Sequence, residues 1–359
     1  MAYPDGFAVC VSGQFHLAHE CEQETCVFWR PQADRKGDKM VSGAPDKSDP
    51  GAAIKASSAR PDPVASELAA LDKKLGKLVV NRFTYRLLRW LGPKLRPRFD
   101  PSEVTLSYDQ AGPPMAIITP HERRGDGAII MLHGGGFVFG EPADVFPKAA
   151  IFARALGVPV VCPAYRLGPQ APYPASLDDA HAAWHRVVAA SSALAIDPHK
   201  IIIAGFSAGG GLAANLVHRL HDEGAVQPAA QILVYPMLDD RTAERRELDA
   251  VRHSIWSNRS NRFGWRALLA GTGSAQGLPY AAAARRGDLS GLPPAWVGVG
   301  RCDLFLDEDR AYAQRLAAAG VAVDYEEVAG AIHAFDMDDN PLARAFTAAQ
   351  IAFAQLYVN

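Results

Sequence analysis

The sequence predicts an α/β protein with a mostly parallel sheet covered by helices on both faces. Three observations predict it. From residue 104 onward, short apolar runs alternate with helical stretches. Several of those runs, such as "GAIIML" and "IIIAGF", are apolar almost throughout, as strands buried on both faces must be. The junction "IIIAGFSAGGG", Ile201 to Gly211, passes from an apolar run through Gly-x-Ser-x-Gly into small residues. That pattern suits a sharp turn from a buried strand into a helix.

Composition sets the outer bounds. The chain has 359 residues, 48% of them apolar and 21% charged, enough for a sizeable core in one large α/β domain. A formal net charge of -2 gives no reason to expect a nucleic-acid partner. No apolar run approaches the roughly 18 residues of a membrane span. The opening "MAYPDGFAVCVSGQFHLAHE" lacks the basic and apolar regions of a signal peptide. Five scattered cysteines argue against a disulfide framework and fit a reducing cytoplasm.

Residues 1–62 have little periodic apolar pattern and are rich in Pro, Gly, Ser, Asp and Lys, so they read as a flexible N-terminal extension. His16, His19, Cys21 and Cys26 are metal-ligand types, but their spacing is loose. Incidental thiols in a tail account for them, and no metal is expected. Order begins near Pro63. Val64, Leu68, Leu71, Leu75 and Leu78 follow 4-3-4-3 spacing, one face of a helix. A second helical stretch, "RFTYRLLRWLGPKL", is expected to break around Gly92-Pro93. Residues 73–98 carry nine Lys or Arg and no acid. A basic amphipathic pair can lie on a lipid surface. A solvated face on helices covering a core explains it better, so membrane contact is not expected.

Eight strands follow. "VTLSYDQ" and "MAIITP" flank a Gly-Pro-Pro turn, and "GAIIMLHGGGF" is a buried strand running into a glycine loop. "VPVVCPAYRL", "HKIIIAGFSAGG", "AAQILVYPML" and "PPAWVGVGRCD" are four more, and "VAVDYEEVAG" is the last. Between the last two, a helix over residues 308–319 ends at Gly320, a good residue just past a helix end. The final helix starts at Asn340-Pro341, an N-cap type followed by Pro. Its Leu342, Phe346, Ala349, Phe353 and Leu356 mark the buried face.

The chemistry centres on Ser207. A turn between strand and helix lifts its hydroxyl out of the sheet, and Gly205, Gly209 and Gly210 let the backbone crowd together there. The turn also sets the Ala208 N–H at a helix N-terminus, where it can face a developing negative charge. No Gly-Lys-Ser/Thr follows, so the stretch is not a phosphate-binding P-loop. Upstream, "HGGGF", His133 to Phe137, follows a predicted strand. Its glycines leave N–H groups unobstructed, and two of them with Ala208 would hold an oxyanion. His133 shapes that loop by hydrogen bonding. A serine nucleophile needs a base, and the base needs an acid. His333, on the loop after the last strand, is the candidate base. His181, His185, His218 and His221 fall on helices, where surface positions are the default. Asp303 ends the run "AWVGVGRCD" and is the candidate acid; Asp307 fits ordinary first-turn helix chemistry. The order Ser, Asp, His is that of the α/β-hydrolases.

With these residues in hand, the chain from about residue 63 onward resembles the hormone-sensitive-lipase-like esterases of the α/β-hydrolase superfamily (bacterial family IV). "HGGGFVFG", "YRLGPQAPYPASLDD", "GFSAGGGLAANL", "DLSGLPPAWVGVGRCDLFLDED", "AYAQRLAAAGV" and "AGAIHAF" carry the resemblance. It implies an α/β-hydrolase fold over residues 63–359 with an eight-stranded, mostly parallel sheet. It implies Ser207, Asp303 and His333 as the triad, and Gly135, Gly136 and Ala208 as oxyanion donors with Gly134 shaping the loop. It also implies a helical cap from about 63–100 and 237–272. Phe206, Phe137 and Trp256 are the candidates for lining the substrate pocket. Two positions depart from the family pattern: Phe206 stands where Asp or Thr is usual, and Gln170 where Glu is usual.

The resulting expectation is a serine carboxylesterase of short- to medium-chain acyl or aryl esters, with no cofactor and a small-molecule ester as its partner. The alternatives are an amidase or deacetylase with the same triad, or a non-catalytic ligand-binding member of the fold. Family members often dimerise through a sheet edge, so a homodimer stays open.

Overall fold

The computed structural model describes residues 26–29, 62–76, 78–95 and 99–359. Its strands are β1 (Cys26–Trp29), β2 (Val104–Asp109), β3 (Met115–Pro120), β4 (Ala128–Leu132), β5 (Val160–Pro163), β6 (Ile201–Phe206), β7 (Ala230–Val234), β8 (Ala295–Gly300) and β9 (Val323–Val328). They form one nine-stranded sheet in the order β1-β9-β8-β7-β6-β4-β5-β3-β2. The β4–β5, β4–β6, β6–β7, β7–β8 and β8–β9 pairs are parallel. The β2–β3 and β3–β5 pairs are antiparallel. All eight strands expected from the sequence are present. The ninth, β1, lies within the stretch read as a flexible extension and pairs antiparallel with the edge strand β9. Apart from Asp62, the remainder of that stretch, with His16, His19 and Cys21, lies outside the described residues.

The helices are α1 (Ala69–Leu75), α2 (Thr84–Leu95), α3 (Phe146–Leu156), α4 (Ala175–Ala189), α5 (Ser191–Leu194), α6 (Ala208–Asp222), α7 (Asn258–Leu268), α8 (Leu306–Ala318) and α9 (Pro341–Val358). None among the described residues is long and apolar enough to cross a membrane. Alternation along the strands sorts the core into two layers. Ile201 and Ile203 of β6 face one cluster with Trp184 of α4, Leu212 of α6 and Leu316 of α8. Ile202, Ala204 and Phe206 face the other, with Phe152 of α3 and Phe346 of α9. Both faces are buried, so the central strands need an apolar residue at every position, and this is why they read as continuous runs.

Three local expectations are adjusted. The first helical stretch is a 3-10 turn over Ser66–Leu68 followed by α1, which stops at Gly76. α2 runs through Pro93 to Leu95 instead of breaking. A proline this near the end forfeits a single hydrogen bond of the last turn, and the helix tolerates it. Leu356 of α9 is exposed, although Phe346 and Phe353 are buried as expected. α9 does begin as read, with Asn340 Oδ1 accepting from the Ala343 N–H at 2.9 Å.

α2 also does more than present a solvated basic face. Phe83, Leu87 and Trp90 project outward and are exposed. Cations cover two of the rings: Arg82 sits 4.6 Å from the centroid of Phe83, and Lys94 Nζ 3.8 Å from that of Trp90. The two cap segments are tied together. Asp72 of α1 pairs with Arg252 at 2.9 Å and accepts from Ser254, and the Val80 N–H donates to Ser260 Oγ at 2.9 Å.

At the start of α8, Glu308 and Asp309 are both buried. Glu308 Oε1 accepts from the backbone N–H of Leu238 at 2.8 Å. Neither carboxyl oxygen of Asp309 meets a hydrogen-bond partner among the described residues. Burial, reinforced by Glu308 and Asp303, pushes its pKa well above the ordinary value. A raised native pKa means that stability is full below the unfolded value near 4 and declines as pH rises through the native one. Asp309→Asn removes that decline. Its stability advantage over wild type should grow by up to about 1.4 kcal/mol per pH unit above pH ~4, until the native pKa is reached. Thermal melts between pH 4 and 8 check this; a gap that does not change with pH would contradict it.

Candidate active site

Four loops leave the C-terminal ends of parallel strands and meet above the sheet. They follow β4, β6, β8 and β9 and carry His133–Gly136, Ser207, Asp303 and His333 respectively. Open parallel sheets place their binding crevices at this edge.

Ser207 sits between β6 and α6 with φ 54° and ψ -119°. A non-glycine residue rarely holds such angles, and the surroundings must enforce them. Its N–H donates to the Val234 carbonyl at 2.9 Å. Its own carbonyl accepts from the N–H groups of Gly211 and Met237, each at 3.0 Å. The glycines allow the close approach. A Cβ on Gly205 would overlap the Gly209 carbonyl, and one on Gly209 would overlap the carbonyls of Leu132 and His133.

Ser207 Oγ lies 2.9 Å from His333 Nε2, and His333 Nδ1 lies 2.7 Å from Asp303 Oδ2. All three residues are buried. The carboxylate accepts from Nδ1–H, which leaves Nε2 as the acceptor facing the serine hydroxyl. The Phe305 N–H holds the other oxygen, Asp303 Oδ1, at 3.0 Å. Asp307 turns away and pairs with Arg245 at 3.3 Å and Arg310 at 3.7 Å. The His333 ring is gripped edge-on by Tyr235 at 4.8 Å and Phe305 at 5.3 Å between centroids. Tyr235 in turn donates its O–H to Asp336 Oδ1 at 2.6 Å. Lys148 Nζ lies 3.0 Å from Asp336 Oδ2. The loop is therefore fixed on both sides of the imidazole. From the N-terminal side, the Ala65 N–H donates to the Gly330 carbonyl at 2.9 Å, and Arg301 pairs with Asp62 at 3.0 Å.

The glycine loop lies beside Ser207: a Cβ on Gly134 would stand 3.4 Å from Ser207 Cβ. Gly135 and Gly136 have φ of 117° and 59°. Their N–H groups donate to nothing among the described residues, and the Ala208 N–H opens α6, where no intrahelical acceptor exists. His133 Nδ1–H donates to the Gly134 carbonyl at 2.8 Å, and its ring stacks on Tyr165 at 4.2 Å. Burial lowers its pKa to about 4, so it stays a neutral donor at neutral pH. Residues of the 237–272 segment pack directly on this loop. The indole of Trp256 fills the space where a Gly136 side chain would be. Phe137 is buried with its ring 6.0 Å from that of Trp265. Phe206 points to the opposite layer, its ring 6.3 Å from Tyr235. It therefore lies behind the histidine's support.

With this geometry in view, a family profile described as alpha/beta hydrolase fold matches residues 129–337. A carboxylesterase of Mycobacterium tuberculosis is 31% identical over 247 residues, covering 68% of this chain and 77% of that protein. The chain belongs to the hormone-sensitive-lipase-like carboxylic ester hydrolases of the α/β-hydrolase superfamily. Its likeness extends to an ethyl acetate hydrolase of Pseudomonas putida, 33% identical over 211 residues, or 58% of this chain and 65% of that one. Among solved structures, a bacterial heroin esterase superposes with a TM-score of 0.76 at 29% identity, covering 82% of this chain and 98% of the other.

The way this hydrolase braces its glycine loop carries no signal in the sequence. Arg89 of α2 donates to the carbonyl of Val138 at 2.7 Å and to that of Gly168 at 2.9 Å. It also donates to Gln170 Oε1 at 2.9 Å, and the Gln170 amide donates to the Tyr85 hydroxyl at 3.1 Å. The amide that departs from the family pattern thus serves two cap residues, accepting from one and donating to the other. In the sequence Arg89 was one basic residue among nine, and nothing in its spacing set it apart. Arg89→Ala should lower kcat/KM for ester hydrolysis by roughly tenfold, about 1.4 kcal/mol, with the fold intact. Steady-state kinetics alongside circular dichroism checks this; unchanged kinetics would show that the loop holds itself.

Proposed function

We propose that this hydrolase is a serine carboxylesterase working through an acyl-enzyme, with Ser207 as nucleophile, His333 as base and Asp303 as the acid that orients it. The observation that carries this reading is the unbroken contact from Ser207 Oγ to His333 Nε2 at 2.9 Å and from His333 Nδ1 to Asp303 at 2.7 Å. Oγ attacks the ester carbonyl carbon while its proton passes to Nε2. The N–H groups of Gly135, Gly136 and Ala208 receive the negative charge that grows on the carbonyl oxygen. Each such donor contributes roughly 3 kcal/mol. The C–O bond to the alcohol then breaks, and the alcohol leaves with the proton from Nε2. Water enters, loses a proton to Nε2 and releases the carboxylic acid, restoring Ser207. No step calls for a cofactor.

The substrate class is a short- to medium-chain acyl or aryl ester. The buried aromatics Trp256 and Phe137 on the cap side support an apolar pocket wall. Phe206 acts on that site through its packing on Tyr235. The unpaired Cys162 and Cys302 accord with a cytoplasmic setting. Ser207→Ala should lower kcat on p-nitrophenyl acetate by at least about 10⁴-fold, and Asp303→Asn by about 10³–10⁴-fold. A series from acetate to laurate, with a matched amide, measures chain preference in the same assay. Ser207→Ala at wild-type rate would sink the assignment, and preferential amide cleavage would replace the ester by an amide.

A further inference from the structure

On the face of the protein formed by α4 and α6, three side chains converge that the esterase reaction does not use. His181 and His185 stand one turn apart on α4, and Glu223 follows the last residue of α6. His181 Nε2 lies 2.7 Å from Glu223 Oε2 and 3.0 Å from His185 Nε2. The three ligand atoms all fall within 4.8 Å of one another. The two rings are nearly perpendicular, at 73°, with both Nε2 atoms turned to the same point.

One proton on His181 Nε2 cannot serve both neighbours. If His181 Nε2 carries hydrogen, that single N–H serves the carboxylate and leaves no linear bond for the lone pair of His185. If His185 Nε2–H donates to His181, then His181 Nε2 is a bare lone pair held 2.7 Å from a carboxylate oxygen, an acceptor against an acceptor. Three ligand atoms within 4.8 Å of one another suit a cation between them. Ligand atoms around a tetrahedral zinc, each about 2.0–2.1 Å from the metal, stand roughly 3.3 Å apart, so the 2.7 and 3.0 Å pairs would open by about half an ångström or less to admit it. Glu223 is held ready for the role, because Arg219 binds its other oxygen, Oε1, at 2.9 Å. Arg219 is itself offset by Asp178 at 2.8 Å, so its charge does not stand alone against an entering ion. The His181 and Glu223 side chains are 18% and 37% exposed, which leaves a route in from solvent.

We propose that His181, His185 and Glu223 bind a divalent transition-metal ion that clips α4 to α6. Two imidazoles and one carboxylate select a borderline ion such as Zn²⁺ over Mg²⁺, with water completing the shell. The clip acts at the far end of α6, the helix that follows Ser207. Its effect is on stability, independent of the ester chemistry.

The test uses the full chain freed of metal by chelation. Calorimetric titration with ZnCl₂ should show a site that MgCl₂ does not fill, and zinc should raise the Tm by several degrees. Co²⁺ in place of zinc should give the visible absorption of a tetrahedral nitrogen–oxygen site. His185→Ala and Glu223→Gln should each weaken zinc binding by about tenfold or more and abolish the Tm shift. Both should keep the metal-free Tm and ester hydrolysis of wild type. Absence of zinc binding by wild type would overturn the proposal. So would zinc affinity unchanged in both variants, which would move the metal to other ligands such as His16, His19 and Cys21.

Discussion

The backbone of Ser207 depends on crowding. Its φ of 54° is tolerable only because β6 and α6 approach so closely that the Gly205 and Gly209 main chains are in contact. The same contact presses α6 against the end of β4, through the carbonyls of Leu132 and His133. One interlock therefore sets the hydroxyl, the first N–H groups of α6 and the root of the glycine loop relative to each other. Larger side chains there would separate the elements before they changed any functional group. The rule that small residues surround the serine is thus a rule about distance between strand, helix and loop.

Around that interlock the supports come from separate parts of the chain. Asp303 and His333 arrive from β8 and β9, and their loops are anchored by residues 62–65 on one side and by Asp336 with Lys148 on the other. The glycine loop is steadied by Arg89 from one cap segment and covered by Trp256 from the other. Both segments are therefore part of the site's frame. This coupling gives a physical reason for the cap segments to be tied to each other at Asp72 and Ser260.

The sheet was legible because burial on both faces demands continuous apolar runs, a signal that survives without neighbours. The Ser207 turn and the glycine loop were legible because steric demands leave few residue choices. Asp303 could be separated from Asp307 by position alone, at a strand end against a first helical turn, and Asp303 is the one that faces His333. The supports were not legible. Arg89, Tyr235, Asp336 and Lys148 act through tertiary contacts with partners far away in the chain, and each residue type has an ordinary local explanation. Phe206 shows the same limit. Its place beside the serine suggested a site wall, and the sequence alone did not show that its ring would pack with Tyr235 in the same core layer. The strand pairing of residues 26–29 escaped notice because a four-residue run in a polar stretch carries too short a pattern.

An acyl-enzyme route requires Ser207 to form the covalent bond to substrate. An organophosphonate ester, which traps a reactive serine, tests it when followed by intact-mass measurement and peptide mapping. One adduct per chain is expected, on the peptide containing Ser207, with loss of activity in proportion to labelling and slow labelling in His333→Ala. An adduct on another residue, or full activity after Ser207 is labelled, would contradict it.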